Sequence, residues 1–461
     1  MPRAILRGLA LLFLAVLAVA CSSADSTQLG ADATPEESTT EDNSEDIAGD
    51  IVDDDADDES LDDDASSTTE TVADEPSDNA ATDETNTEAV DEAPGATVLC
   101  GAGEPLTGSR VDVLQSGNRI ASGSTDFTQM DETVVELPDT GIWITADPTV
   151  AGGWYVVLER GSAVRVSPLG VVTTALDSGA LPPEFSGDGV LQSPFRWHEL
   201  FTDPIPDSRV VVLEDVAAVL ATPTDFYQHG VLGDESEAAA IEWIDTCTGE
   251  AGRIEIPEPD VIEGISPMLV DIDRDGQTEI IVTLSNSSSG ARLAAFELDG
   301  STAGQSDPIG RGSRWRNIAA VGAFGPSGEV EIIDVQTPHI GGLVQAFRQI
   351  EDEELGPTLV QVAESDPRYT SHVIGSRNLS MGIGVDANDD SFPDVLVATA
   401  NRNAIVAMTR TDELDSELQG WEIISEQPLD NVLTSNIASQ EEAAGRATIA
   451  VADGNILRIW R

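Results

Sequence analysis

The chain has 461 residues with 85 acidic against 22 basic side chains, a net charge of −63, and every basic residue is arginine. Nucleic acid is thereby excluded as a partner, because binding it takes clustered positive charge to replace released counterions. Aromatic residues make up only 4%, whereas Gly (40) and Pro (24) are plentiful, a balance that favours many short strands and turns over long helices.

In chain order, residues 1–20 carry Arg3 and Arg7, then the apolar run LALLFLAVLAVA, ending in small residues directly before Cys21. This is the layout of an export signal peptide: a charged start, an apolar run too short for a mature membrane helix, and a small-residue cleavage site. The end Ala18-Val19-Ala20-Cys21 resembles the lipobox of bacterial lipoproteins. That resemblance implies cleavage before Cys21 and lipidation of its thiol, hence export and attachment to the cell membrane or outer envelope. The other reading is an ordinary secretory signal that leaves a free thiol.

Residues 22–95 contain 27 Asp and Glu, no Arg and no aromatic residue. Such a segment cannot bury enough apolar surface to offset its ordering entropy, so residues 21–95 are expected to be a disordered acidic linker. As a flexible coil of about 75 residues it would span on the order of 50 Å, enough to hold a domain away from a membrane. The folded domain is then residues 96–461. Its two cysteines, Cys100 and Cys247, form an even pair in an oxidising compartment, which leaves open a disulfide between them or two separate buried thiols.

A repeat decides the architecture of that domain. The segments AAAIEWID, RLAAFELDG, LVQAFRQ, AIVAMTR and NILRIWR align on Trp243, Phe296, Phe347, Met408 and Trp460, at spacings of 53, 51, 61 and 52. Another apolar strand precedes each: VAAVLATPT, EIIVTLSN, EIIDVQT, DVLVATA and ATIAVAD. Three repeats open alike, with Asn317-Ile318-Ala319, Asn378-Leu379-Ser380 and Asn436-Ile437-Ala438. Units of this length built only from strands are characteristic of β-propeller blades, so the expected class is all-β, a β-propeller of seven blades, with six as the alternative. The last unit stops at Arg461 one strand short, and an N-terminal strand is expected to complete it, removing an open sheet edge.

Two repeats carry a dense acidic turn. VDIDRDGQTEIIV places Asp271, Asp273, Asp275 and Glu279 at relative positions 1, 3, 5 and 9 with Gly276 at 6, and VDANDDSFPDVLV places Asp386, Asn388, Asp390 and Asp394 at the same four positions. Alternate oxygens in a tight turn form the cage that a hard cation such as Ca²⁺ requires. Position 12 holds Val282 or Val397 rather than the EF-hand Glu, so the sites are strand-loop-strand. The D-x-D-x-D-G-x-x-E pattern resembles the FG-GAP or VCBS repeat of integrin alpha-chain propellers and bacterial exported proteins. The resemblance implies Ca²⁺ held by Asp271, Asp273, Asp275, Glu279 and the carbonyl of Gln277. It implies a second, weaker site at Asp386, Asn388, Asp390, Asp394 and the carbonyl of Phe392, with Ser391 in place of the usual Gly. The turn VGAFGPSGEVEII keeps the frame without the carboxylates, and no metal is expected there.

No catalytic motif stands out. His198, His229, His339 and His372 have no metal-ligand spacing and are read as surface or satisfied core residues. Arg311, Arg314, Trp315 and Arg316 form a local cluster that suits an interaction patch, or else an inter-blade connection where Arg pairs with neighbouring acids. The expected function is a lipid-anchored, calcium-binding, non-catalytic module for extracellular protein or polysaccharide. The alternative is an exported polysaccharide lyase or hydrolase, since propellers also host catalysis.

Overall fold

In the computed structural model, the residues described are 115–461 except 148–149, 177–199, 207, 228, 234–235, 313, 413–419 and 443–444. They belong to the second of the two units into which the chain divides, Thr87–Arg461. The signal peptide, Cys21, the acidic linker, Cys100 and His198 lie outside the described residues.

The apolar runs become strands, and each repeat becomes a unit of four antiparallel strands. Unit I is Gly141–Ala146, Trp154–Leu158, Ala163–Val166 and Val172–Leu176, and unit II is Val211–Leu213, Val216–Thr224, Glu237–Asp245 and Ala251–Glu255. Unit III comprises Met268–Val270, Glu279–Ser285, Arg292–Phe296 and Thr302–Gln305. Arg316–Gly322, Glu331–Gln336, Leu343–Asp352 and Gly356–Glu364 make unit IV. Unit V follows with Gly382–Asp386, Asp394–Thr399, Ala404–Arg410 and Trp421–Pro428. In unit VI the strands Ala438–Glu442, Arg446–Asp453 and Ile456–Trp460 are completed by Glu132–Glu136, which pairs antiparallel with the last strand from Trp460↔Glu132 to Ile456↔Glu136. The missing edge is thus supplied from the N-terminal side of the domain.

The repeat alignment holds at the level of register. Trp243, Phe296, Phe347, Met408 and Trp460 lie opposite Ala218, Ile280, Ile332, Val395 and Ile449 of the preceding strand. The count differs from the expected seven: the described residues contain six units, the alternative count. The spacing arithmetic divides the whole domain into blades, but part of its N-terminal stretch, residues 115–124, makes no blade of its own.

Second strands such as EIIVTLS are buried along their whole length because both faces are covered. Ile280, Val282 and Leu284 pack toward unit II, whereas Ile281, one residue out of phase, packs toward unit IV. In unit V, Val395 and Val397 face unit IV while Leu396 and Ala398 face unit VI. The period of two therefore distributes one strand between two interfaces, and each fully buried Val, Leu or Ile contributes roughly 1.5–3 kcal/mol. A further cluster joins unit VI to unit I through Leu457, Ile459, Ile144 and Trp154. Between units I and II, the Arg209 guanidinium lies 4.6 Å from the Trp143 ring centroid. The repeated opening Asn clamps neighbours: Asn436 exchanges two hydrogen bonds with the backbone of Ile144, and Asn317 Nδ2 donates to the Leu379 carbonyl.

First strands of neighbouring units adjoin one another, and residues 115–125 run between them. Gly117 N donates to Val212 O of unit II, while Leu269 N, Val321 N and Gly384 N of units III, IV and V donate to the carbonyls of Gly117, Asn118 and Arg119. Ser124 N then donates to Gly445 O of unit VI and Thr125 N to Asp386 O. One short segment thus ties five units together, and Arg119 is buried in it, donating to the Ile318 carbonyl and Ser266 Oγ. Because successive strands are antiparallel, turns between first and second strands share one face of the units. Turns between second and third strands, with the connections between units, share the other.

Candidate metal centre

The two acidic turns have the same backbone. Arg274 and Gly276 in the first, and Asp389 and Ser391 in the second, all have positive φ, at 64°, 89°, 61° and 76°. These are positions 4 and 6 of each turn, and the left-handed kinks turn alternate side chains inward. In the first turn Asp271 accepts from Gly276 N, Asp273 from Asp275 N and Asp275 from Gln277 N. In the second, Asp386 accepts from Asp390 N and Ser391 N, Asn388 from Asp390 N, and Asp390 from Phe392 N. Each closing acid caps the turn's second residue: Glu279 accepts from Ile272 N at 2.6 Å, and Asp394 from Ala387 N at 2.9 Å.

Asp271, Asp273 and Asp275 each bring one carboxylate oxygen within 4.8 Å of the others. Glu279 is 0% exposed and Asp394 1%, and Glu279 Oε1, Asp271 Oδ1 and Asp394 Oδ1 have no hydrogen-bond partner. A buried carboxylate oxygen without a donor is costly unless a cation satisfies it, so the donor set fits a hard divalent ion. The electrostatics agree. Burial pushes Glu279 up to about 8, against the Ile272 amide and with help from Glu297, Asp273 and Asp271. Asp394 is pushed up to about 7 by burial, with Asp390 and Asp386 adding to it.

Glu297 was not singled out in the sequence. It follows Phe296, so the strand register sets it opposite Glu279, and burial raises its pKa, with Asp273 and Asp275 adding to the shift. The residue after the aligned bulky side chain was the available signal. In unit V that residue is Thr409, which carries no charge.

The corresponding turn of unit IV has the same length, since its closing pair Gly322↔Glu331 matches Val270↔Glu279 and Val385↔Asp394, and it ends at Glu331. Glu331 is 0% exposed, and there two arginines neutralise it: Arg348 Nη2 lies 2.6 Å from Oε1 and Arg410 Nε 2.8 Å from Oε2. The three turns adjoin, since Arg274 donates to the Gly328 carbonyl and the Phe392 ring covers Gly328. In unit II the equivalent turn is only Glu214-Asp215 and has no room for a cage.

The arginine cluster does not form one surface. Arg311 and Arg314 are exposed, Trp315 is buried with its Nε1 donating to the Glu263 carbonyl, and Arg316 is buried against Asp334 at 3.1 Å. Cys247 enters a disulfide, while Cys100, the residue set beside it in the sequence, lies outside the described residues. Among the described residues no helix is long and apolar enough to cross a membrane.

No protein-family model and no curated protein matches the chain, so the FG-GAP or VCBS resemblance rests on the turns themselves. Among solved structures, the chain is similar to an auxiliary nutrient binding protein from Bacteroides thetaiotaomicron, at 10% identity over 75% of each chain with a TM-score of 0.35. A second auxiliary nutrient binding protein, from Bacteroides ovatus, is 11% identical over 74% of this chain and 76% of its own, with a TM-score of 0.31. AofleA from Arthrobotrys oligospora is 12% identical over 76% and 91%, with a TM-score of 0.30. Likeness at this level carries no functional argument.

Proposed function

We propose that the chain is an exported, lipid-anchored module whose six units close into a β-propeller ring, hold Ca²⁺ in two turns and bind an extracellular protein or polysaccharide without catalysis. The observation that carries this reading is the pair of acidic turns with matching backbone and buried, donorless carboxylate oxygens. Asp271, Asp273, Asp275, Glu279 and the Gln277 carbonyl would hold one ion. Asp386, Asn388, Asp390, Asp394 and the Phe392 carbonyl would hold the other. A bound cation supplies the charge that lets these turns stay ordered, and the residues themselves fix strand pairs in units III and V.

Binding is favoured over catalysis because residues 115–125 occupy the space between the first strands, where a propeller enzyme would gather converging groups. The anchor rests on the sequence ending at Cys21. Replacing Cys21 with Ser should release the protein into the medium, and a variant that still partitions into detergent like the parent would refute the anchor. Candidate envelope polysaccharides retained by the calcium-loaded protein should be recovered at their original chain length. Shortened chains would establish the lyase or hydrolase reading instead.

A further inference from the structure

In three successive units, the residue that follows the aligned bulky side chain stands opposite the acid that closes the turn. Register pairs Phe296 with Ile280, Phe347 with Ile332 and Met408 with Val395, so one step further along each ladder Glu297 faces Glu279, Arg348 faces Glu331 and Thr409 faces Asp394. Directly opposed residues of an antiparallel pair have Cβ atoms about 4.5–5.5 Å apart, close enough to feel each other's charge. Unit IV shows how far the position reaches: Arg348 Nη2 lies 2.6 Å from Oε1 of Glu331 and 3.6 Å from Oε2 of Glu329, a residue of the turn itself.

The facing residue changes charge from unit to unit, while the acid it faces is buried in all three. Where it is Arg348, both oxygens of the closing acid are engaged, Oε1 by Arg348 and Oε2 by Arg410. Where it is Glu297 or Thr409, one oxygen of the closing acid has no donor: Oε1 of Glu279 and Oδ1 of Asp394. The donorless buried oxygen thus occurs where the facing residue brings no positive charge. Unit IV also lacks side-chain oxygens at positions 1 and 3 of its turn, Ala323 and Gly325, so the decisive exchange of residues is one made in unit III.

We propose that this cross-strand position sets how tightly a turn holds its cation. Glu297 strengthens the site of unit III, uncharged Thr409 leaves that of unit V weaker, and an arginine there supplies the countercharge from within and displaces the metal. The inference rests on the Ca²⁺ reading of the turns and goes beyond it, since Glu297 and Thr409 lie on third strands or just after them, outside the turns that would hold the ions. Both act through the closing acid, as charges and not as ligands. Oxygen sites gain affinity for Ca²⁺ with the negative charge they gather, and the field of one more carboxylate at this distance is felt by a divalent ion.

The test is calorimetric titration of the full chain with Ca²⁺, beside thermal melts in chelator. Glu297→Gln should weaken one of the two sites about tenfold at low salt, and Thr409→Glu should tighten the other by a similar factor, both effects shrinking as salt is added. Glu297→Gln should also raise the melting temperature in chelator, because a repulsive neighbour of Glu279 is gone. A merely structural glutamate would lower it. Glu297→Arg builds in unit III the pair that unit IV already holds and should abolish one calcium site; if that variant fails to fold, the Gln and Thr409→Glu variants decide. Two sites of parental affinity in Glu297→Gln, or a lower melting temperature for it in chelator, would overturn the proposal while calcium binding itself stands. No calcium binding by the parent would overturn the reading of the turns and this inference with it.

Discussion

Glu279 and Glu331 occupy the same place in neighbouring units: each opens the second strand, and each is fully buried. Strand register sets Glu297 opposite Glu279, but Arg348 opposite Glu331. Arg410 of unit V adds a second guanidinium to Glu331. One acid therefore carries its countercharges in the sequence, while the other sits among further acids and, in the proposed function, takes its countercharge from a cation in solution. The comparison teaches that a carboxylate buried at this point of a unit needs its charge matched, by arginines at Glu331 and, in the proposed function, by a cation at Glu279.

The largest effect is expected where the countercharge is covalent. Arg410→Met leaves Glu331 only partly paired and should cost about 3–5 kcal/mol in chemical denaturation, equally with calcium and with chelator. A loss that calcium repairs would break the contrast. Chelation comes next: removing an ion held a hundredfold above its Kd should cost on the order of 2.7 kcal/mol per turn, read as a lower Tm. Excess Mg²⁺ should restore this poorly, because the smaller ion demands octahedral geometry and sheds water reluctantly. Asp273→Ala should remove more of the calcium response than Asn388→Ala, since it deletes a charged ligand.

A pH dependence follows from the raised carboxyls. In the chelated protein Glu279 ionises near 8 when folded against 4.5 ordinarily, and Asp394 near 7 against 3.8. Between those values unfolding releases protons, so the stability these groups contribute is full below about pH 4 and lost as pH rises toward 8. Thermal melts with chelator should show that decline, and Glu279→Gln combined with Asp394→Asn should flatten it. The smallest effect concerns Ser391, whose φ of 76° is the conformation Gly276 adopts freely in the first turn. Ser391→Gly should stabilise the second turn by about 0.5–1 kcal/mol in the same melts, and a loss would show that the hydroxyl matters more than the strain.

Much of this was legible in the sequence because it is local. The strand repeat, its aligned bulky residues and the shared backbone of the two turns all follow from spacing within some fifty residues. The completing strand was legible as a missing edge, although its location at Glu132–Glu136 needed the fold. The described residues hold six units rather than the expected seven, and nothing in GNRIASGS distinguishes a segment lying between units from an ordinary edge strand. Glu297, the arginines on Glu331 and the meeting of His339 with His372 arise from contacts across strands or between units. Single-chain spacing does not carry such contacts. Arg316, for which the sequence left open an interaction patch or pairing with neighbouring acids, is buried against Asp334.

The most direct measurement is calorimetric titration of the metal-free chain with Ca²⁺, beside the same titration of the Glu279→Gln, Asp394→Asn double variant. Two saturable sites that the double variant loses, with Glu331 and its arginines contributing none, is the predicted result. Heats that are identical in the two proteins, or no binding at millimolar calcium, would contradict the assignment of cations to these turns.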